Sequence, residues 1–232
     1  MTADAAARPL PVTAVLFDLD GTLADSAGDL ALALNRIRHE RGLPAVPVEE
    51  LRAYASSGAR GLLYRGMGIT PDDADYAALR EAFLANYAAC LAQTTTLFDG
   101  VDALLDAIER RGLAWGIVTN KHMRYTESVV AALKLTRAAV VVAGDTTPHP
   151  KPHPAPLLYA ADALRVAPAA CVYVGDDLRD VEAGQAAGMS TIVAGYGYMG
   201  TGGDPKRWPA TGWIDRPLDL LDWLPSSDSF RR

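Results

Sequence analysis

Two acids one residue apart, Asp18 and Asp20, close the apolar run Val15-Leu16-Phe17 within VLFDLDGTLADS, residues 15–26. Alternate side chains of an extended strand share a face, so both carboxylates project to one side, about 7 Å apart along the backbone. Like charges that close call for a cation between them or a proton on one of them. Gly21 permits a sharp turn and Thr22 adds a hydroxyl there, which puts the acids at the carboxyl end of a strand, where open α/β sheets bind ligands. Asp-x-Asp alone is also an ordinary surface turn, so further groups must converge on the pair.

Such groups recur at the ends of other apolar runs. Val118-Thr119-Asn120 closes one and is followed by Lys121; a hydroxyl and an amide can donate to phosphate oxygens without adding a competing charge, although both residues are also common in turns. A phosphate beside several carboxylates needs a cation, and Lys151, in a proline-stiffened loop at 148–154 ahead of a helix, is the best-placed candidate. Another run, 172–174, ends in Gly175-Asp176-Asp177-Leu178-Arg179-Asp180. Hard divalent cations take oxygen ligands, and Mg²⁺ takes one or two carboxylates plus substrate oxygens. Asp177 and Asp180 are either helix N-terminal acids or partners of Lys151 or of a metal-bound water. His149 and His153 do not suggest a metal site, since neither a third ligand nor a helical frame accompanies them.

The elements that must position these groups are short apolar runs at 14–19, 115–118, 140–143, 171–174 and 191–194, separated by helix-like stretches. Their alternation predicts a Rossmann-like α/β fold, a parallel sheet flanked by helices on both faces. The long interval between the first two runs holds only helix-like segments, 30–41, 48–54, 60–65 and 75–92, punctuated by Gly42, Pro44, Pro47, Gly66 and Pro71. This predicts an inserted α-helical cap domain. The expected division is a flexible N-terminus at 1–11, a catalytic core at 12–24 and 97–224, the cap at 25–96 and a flexible tail at 225–232, with hinges at 24–27 and 92–97.

A chain of 232 residues, half of them apolar, can bury a large core. With 22 basic against 28 acidic residues and a net charge of −6, a nucleic-acid footprint is not expected, and an anionic substrate needs local cations. Cys90 and Cys171 lie far apart without metal-like spacing and read as free buried thiols in a reducing compartment. No basic segment followed by an apolar core opens the chain, and no run approaches the ~18 apolar residues of a membrane helix. The expectation is a cytoplasmic monomer or homodimer with neither nucleic acid nor membrane as partner.

DLDGTLADS after a strand, VTNK, KPHP and VYVGDDLRD together resemble the four motifs of the haloacid dehalogenase-like phosphatases, across residues 13 to about 195. The resemblance implies that Asp18 is the nucleophile, becoming an aspartyl-phosphate, and that Asp20 is the general acid/base. It implies that Lys151 contacts nucleophile and phosphoryl group, that Thr119 and Asn120 bind phosphate, and that Mg²⁺ is held by Asp18, the backbone carbonyl of Asp20 and Asp176. The helical insertion matches this family's small cap. Dehalogenases of the superfamily lack an aspartate at the Asp20 position, so the resemblance implies phosphomonoester chemistry, with a small phosphate ester as substrate.

The full-length pattern looks like the phosphoglycolate phosphatase group, with SSGAR, TLFDGV, AWGIVTNK, VGDDLRDVEAG and GYGYMG closer to a branch acting on N-acetylmuramic acid 6-phosphate. Both substrates pair a phosphate with a carboxylate. Arg60, at the start of a cap helix, is either a bidentate anchor for that carboxylate or a solvated helix-start residue. Tyr196, Tyr198 and Trp208 either line the substrate region or pack the C-terminal loop over the sheet edge. The alternatives are a sugar-phosphate mutase on the same core, which would move phosphate rather than release it, and a non-catalytic phosphate-binding module, which would lack some motif residue.

Overall fold

The computed structural model describes residues 9–226, so the expected flexible ends lie largely outside the described residues. The strands are β1 (Ala14–Phe17), β2 (Ala24–Asp25), β3 (Thr96–Leu97), β4 (Ala114–Val118), β5 (Val140–Val142), β6 (Cys171–Gly175), β7 (Ser190–Ala194) and β8 (Gly212–Ile214). The helices are α1 (Ala27–Glu40), α2 (Val48–Ala55), α3 (Gly58–Met67), α4 (Tyr76–Cys90), α5 (Val101–Arg110), α6 (Met123–Ala132), α7 (Ala155–Leu164) and α8 (Leu178–Ala186).

Six strands form a parallel sheet in the order β5-β4-β1-β6-β7-β8, as expected of a Rossmann-like α/β fold. β1 is buried on both faces because its alternating side chains feed two separate cores. Val15 and Phe17 join Val172, Val174, Leu104 and Ile108 on one side, while Ala14 and Leu16 join Tyr173, Val118 and Leu157 on the other. Helix α5 covers the first core with Val101, Leu104, Leu105 and Ile108, a spacing that puts all four on one face. Each such side chain taken out of water contributes about 1.5–3 kcal/mol. From β1 the chain's next large-sheet strands lie on one side, and from β6 they lie on the other. The crevice between the carboxyl ends of β1 and β6 is therefore the topological switch point, where sheets of this kind bind ligands.

The sixth strand, β8, is absent from the sequence reading. Gly212-Trp213-Ile214 is three residues long at the sheet edge, with only Ile214 fully buried, so it shows neither an apolar run nor alternation. Also unexpected is the antiparallel pairing of β2 with β3, Ala24 opposite Leu97 and Asp25 opposite Thr96. The chain thus enters and leaves the helical insertion through one two-stranded ribbon.

Between those strands α1 to α4 pack around their own cluster, which includes Leu34, Ile37, Leu62, Leu63, Phe83 and Tyr87. Asp29, fully buried on α1, ties the insertion's two ends together. One of its oxygens accepts from the Thr94 N–H at 2.8 Å and hydroxyl at 2.7 Å, and the other from the Thr95 hydroxyl at 2.6 Å and N–H at 3.3 Å. Cys90 and Cys171 are buried free thiols. No described helix is long and apolar enough to cross a membrane.

Candidate active site

Asp18 directly follows β1, and Asp176 directly follows β6, its immediate neighbour in the sheet. Parallel pairing in register, Phe17 opposite Val174, brings both acids to the switch point. Gly21 makes the approach possible: its φ is +86°, and a Cβ there would lie 2.2 Å from Asp176 Oδ2. Asp180, on the first turn of α8, completes the group. Carboxylate oxygens of Asp18, Asp176 and Asp180 lie within 4.8 Å of one another.

Lys151 enters this cluster almost wholly buried, its side chain 2% exposed. Its Nζ lies 2.9 Å from Asp18 Oδ1 and 2.8 Å from Asp180 Oδ1, and donates also towards the Tyr173 hydroxyl at 2.7 Å and the Val118 carbonyl at 3.0 Å. Burial alone would depress the Lys151 pKa, but Asp18 and Asp180 outweigh it and raise it, so the ammonium stays charged. Burial pushes the Asp18 carboxyl up to about 6, with Asp180 and Asp20 adding to the rise and Lys151 opposing it.

Asp176 has no such cation. Its oxygens accept from the Thr22 hydroxyl and the Tyr198 N–H, both at 2.9 Å. Burial, then the charges of Asp18 and Asp180, hold its pKa well above the carboxylate range. A dry, oxygen-only group of three acids with one lysine for compensation fits a hard divalent cation. His149 and His153 lie side by side, ring centroids 4.5 Å apart and planes tilted by 40°, and belong to no comparable group among the described residues.

The remaining residues singled out in the sequence divide. Asp20 comes to the same cavity as Asp18, with one oxygen 3.0 Å from Lys121 Nζ and the other accepting from the Ser26 hydroxyl. Thr119 is buried beside them, and its hydroxyl accepts from the Lys121 N–H at 3.2 Å, keeping its own proton to donate. The Asn120 side chain instead clasps the Lys151 backbone, its Nδ2 donating to the Lys151 carbonyl at 2.8 Å and its Oδ1 accepting from the Lys151 N–H at 2.9 Å. Asn120 thereby sets the loop that delivers Lys151.

Asp177 is the N-cap of α8 and pairs with Arg179, while Asp180 completes that capping box and also meets Lys151. Burial would raise the Asp177 pKa, but its hydrogen bonds to Arg179 and the guanidinium charge hold it low. Tyr196 packs edge-on against Phe98 and donates to the Thr22 carbonyl, and Trp208 donates to the Gly202 carbonyl. Tyr198 receives the Ser26 and Ala27 N–H groups at 2.7 and 3.0 Å. None of these three aromatics lines the cavity.

That cavity, about 370 Å³, lies between the strand ends and the helical insertion. Asp18, Asp20 and Lys151 line it from the sheet side; Arg60, Phe83 and Tyr87 line it from the insertion. Motif spacing assigns no role to Lys121, Arg179 or Tyr173, yet all three engage the acids directly. Arg179 also reaches the Ser56 carbonyl on the insertion at 2.6 Å, bridging the two sides.

A family model described as haloacid dehalogenase-like hydrolase matches residues 15–194. A phosphoglycolate phosphatase of Xanthomonas campestris is 44% identical over 215 residues, covering 92% of this chain and 96% of its own. An N-acetylmuramic acid 6-phosphate phosphatase of Pseudomonas aeruginosa is 39% identical over 218 residues, covering 94% and 96%. A crystal structure described as a predicted phosphoglycolate phosphatase from Haemophilus somnus 129pt aligns with a TM-score of 0.80 at 25% identity, over 91% of this chain and 97% of its own. Fold, strand-end acids and full-length relatives agree: the chain belongs to the haloacid dehalogenase-like hydrolase family, and it is a phosphatase.

Proposed function

We propose that this phosphatase hydrolyses a phosphomonoester through an aspartyl-phosphate on Asp18, with Mg²⁺ as cofactor. Its proposed substrate is a small phosphorylated carboxylic acid, 2-phosphoglycolate or N-acetylmuramic acid 6-phosphate. The observation that carries this reading is the placement of Asp18, 2.9 Å from a buried Lys151 and opening on a cavity walled on its other side by the helical insertion. In this reading residues 25–96 form the cap, 12–24 with 97–224 form the core, and the β2–β3 ribbon is the hinge. Two buried free thiols support a reducing, cytoplasmic setting.

Asp18 acts as the nucleophile. Its Oδ forms a bond to phosphorus as the bond to the leaving oxygen breaks, and the protonated carboxyl of Asp20 gives that oxygen its proton. Asp20, now ionised, takes a proton from water. The water oxygen bonds to phosphorus, the Asp18–phosphorus bond breaks, and the carboxylate returns. Lys151 and the Thr119 hydroxyl donate to the phosphoryl oxygens, where charge must be stabilised throughout. Mg²⁺, held by Asp18 and Asp176 with the Asp20 carbonyl, would neutralise phosphoryl charge and offset the buried carboxylates when bound. Asn120 holds Lys151 in place through its backbone.

Arg60 supports the carboxylate half of the substrate. It is exposed to the cavity, and no ion pair or hydrogen bond engages its guanidinium among the described residues. The cavity, about 370 Å³, has room for either proposed substrate. The test is kcat/KM for both substrates side by side with Mg²⁺, using Asp18→Asn as blank. A hundredfold preference, about 2.7 kcal/mol, assigns the substrate. No Mg²⁺-dependent phosphate release from either overturns the reading.

A further inference from the structure

We propose that Lys121 is a positioning residue for Asp20, and that Tyr87 of the helical insertion sets Lys121 in turn. This rests on the reading of Asp20 as the acid that protonates the leaving group. The Lys121 side chain is 7% exposed, and its Nζ has two close acceptors, Asp20 Oδ2 at 3.0 Å and the Tyr87 hydroxyl at 2.8 Å. A buried ammonium keeps its place only where its donors are satisfied, so the loss of either acceptor frees it to move. Tyr87 itself is held firmly. It is 2% exposed on α4, its ring meets Tyr125 edge-on at 5.4 Å, and it stacks on Phe83 at 6.5 Å.

The consequence falls on the Asp20 carboxyl. One oxygen faces the Lys121 ammonium and the other the Ser26 hydroxyl, so the carboxyl plane cannot turn without breaking a contact. A hydroxyl can accept as well as donate, which leaves the oxygen beside Ser26 able to carry the proton. Lys121 lies in the loop between β4 and α6 on the sheet side, whereas Tyr87 belongs to the insertion. The aim of Asp20 therefore depends on the insertion standing where Tyr87 can receive Lys121. General acid catalysis needs its proton within hydrogen-bond reach of the leaving oxygen, so a loosened Lys121 impairs proton delivery specifically.

Leaving groups separate that effect from a general loss of structure. An alkoxide needs a proton to depart, while p-nitrophenolate leaves readily without one. The experiment compares kcat and KM for 2-phosphoglycolate and p-nitrophenyl phosphate in wild type, Tyr87→Phe, Lys121→Met, Lys121→Arg and Asp20→Asn. Tyr87→Phe removes one oxygen and keeps the packed ring, which guards against misfolding. In Tyr87→Phe and Lys121→Met the alkyl ester is expected to lose at least tenfold more in kcat/KM than the aryl ester. The loss should fall on kcat, and Lys121→Arg should recover part of it. Equal losses on both esters, or an unchanged ratio, overturn the proposal. Asp20→Asn separates the two readings: if it lowers kcat/KM equally for both esters, the acid role of Asp20 fails and the proposal with it, because kcat/KM ends at the aspartyl-phosphate, before Asp20 acts as base. If it selectively penalises the alkyl ester while Tyr87→Phe and Lys121→Met do not, only the role of Lys121 fails.

Discussion

Removing the Asp18 carboxylate, the proposed nucleophile, should stabilise the protein when no divalent cation is present. The Asp18 carboxyl is raised from 3.8 to about 6, chiefly by burial, so between those values the folded state holds a proton that the unfolded chain releases. A carboxyl of this kind makes stability fall as pH rises, starting near the unfolded value and ending above the folded one. Two units at about 1.36 kcal/mol each put the loss at about 3 kcal/mol by about pH 8. At about pH 4.5, where most of the window still lies ahead, the same linkage gives about 1 kcal/mol.

Asp18→Asn carries no such charge and keeps an oxygen for the Leu19 N–H and for Lys151, which now meet Asp18 Oδ1 at 2.7 and 2.9 Å. The variant is expected to be more stable than wild type by about 3 kcal/mol at about pH 8 in chelator, a Tm gain of about 6–12 °C at this chain length. The gain should shrink to about 1 kcal/mol near pH 4.5. Added Mg²⁺ at a hundred times its Kd should raise wild type by about 2.7 kcal/mol and close most of the gap. Thermal unfolding at the two pH values, with and without Mg²⁺, reads all of this. An Asp18→Asn protein less stable than wild type at about pH 8 in chelator would refute the reasoning that ionised, buried Asp18 costs stability.

Two further substitutions probe the insertion. Arg60→Ala should lower kcat/KM for the phosphorylated acid about tenfold relative to p-nitrophenyl phosphate, which has no carboxylate to anchor; an unchanged ratio of the two substrates would make Arg60 a solvated helix-start residue. Asp29→Ala removes a buried acceptor and strands the donors of buried Thr95, while exposed Thr94 can turn to water, and should cost about 2 kcal/mol, seen as a Tm lower by about 4–8 °C. A drop of a degree or two would mean that water replaces those bonds.

Much of this fold follows from periodicity. Strands such as 14–17 and 171–175 are buried on both faces and therefore read as unbroken apolar runs, and the carboxylates that end them stand out against that background. The helical insertion is equally legible, because its helices carry apolar faces between glycines and prolines. Illegible features depend on where distant segments meet. Nothing local distinguishes Lys121 from a surface lysine until Tyr87, thirty-four positions away, comes within 2.8 Å. Asn120 shows its polarity in the sequence but not that both ends of its amide turn to the Lys151 backbone. Tyr198 reads as a loop aromatic, yet it receives the N–H groups at the start of α1 from 172 and 171 positions away.

The most direct test of the account is to catch the enzyme during turnover. Wild-type protein with Mg²⁺ and substrate, quenched in acid on the millisecond scale and digested, should yield the peptide carrying Asp18 with a phosphoryl group attached. Asp18→Asn should yield none. Steady phosphate release with no phosphoryl group on Asp18 at any quench time, or a phosphoryl group on another residue, would contradict the assignment of Asp18 as the nucleophile.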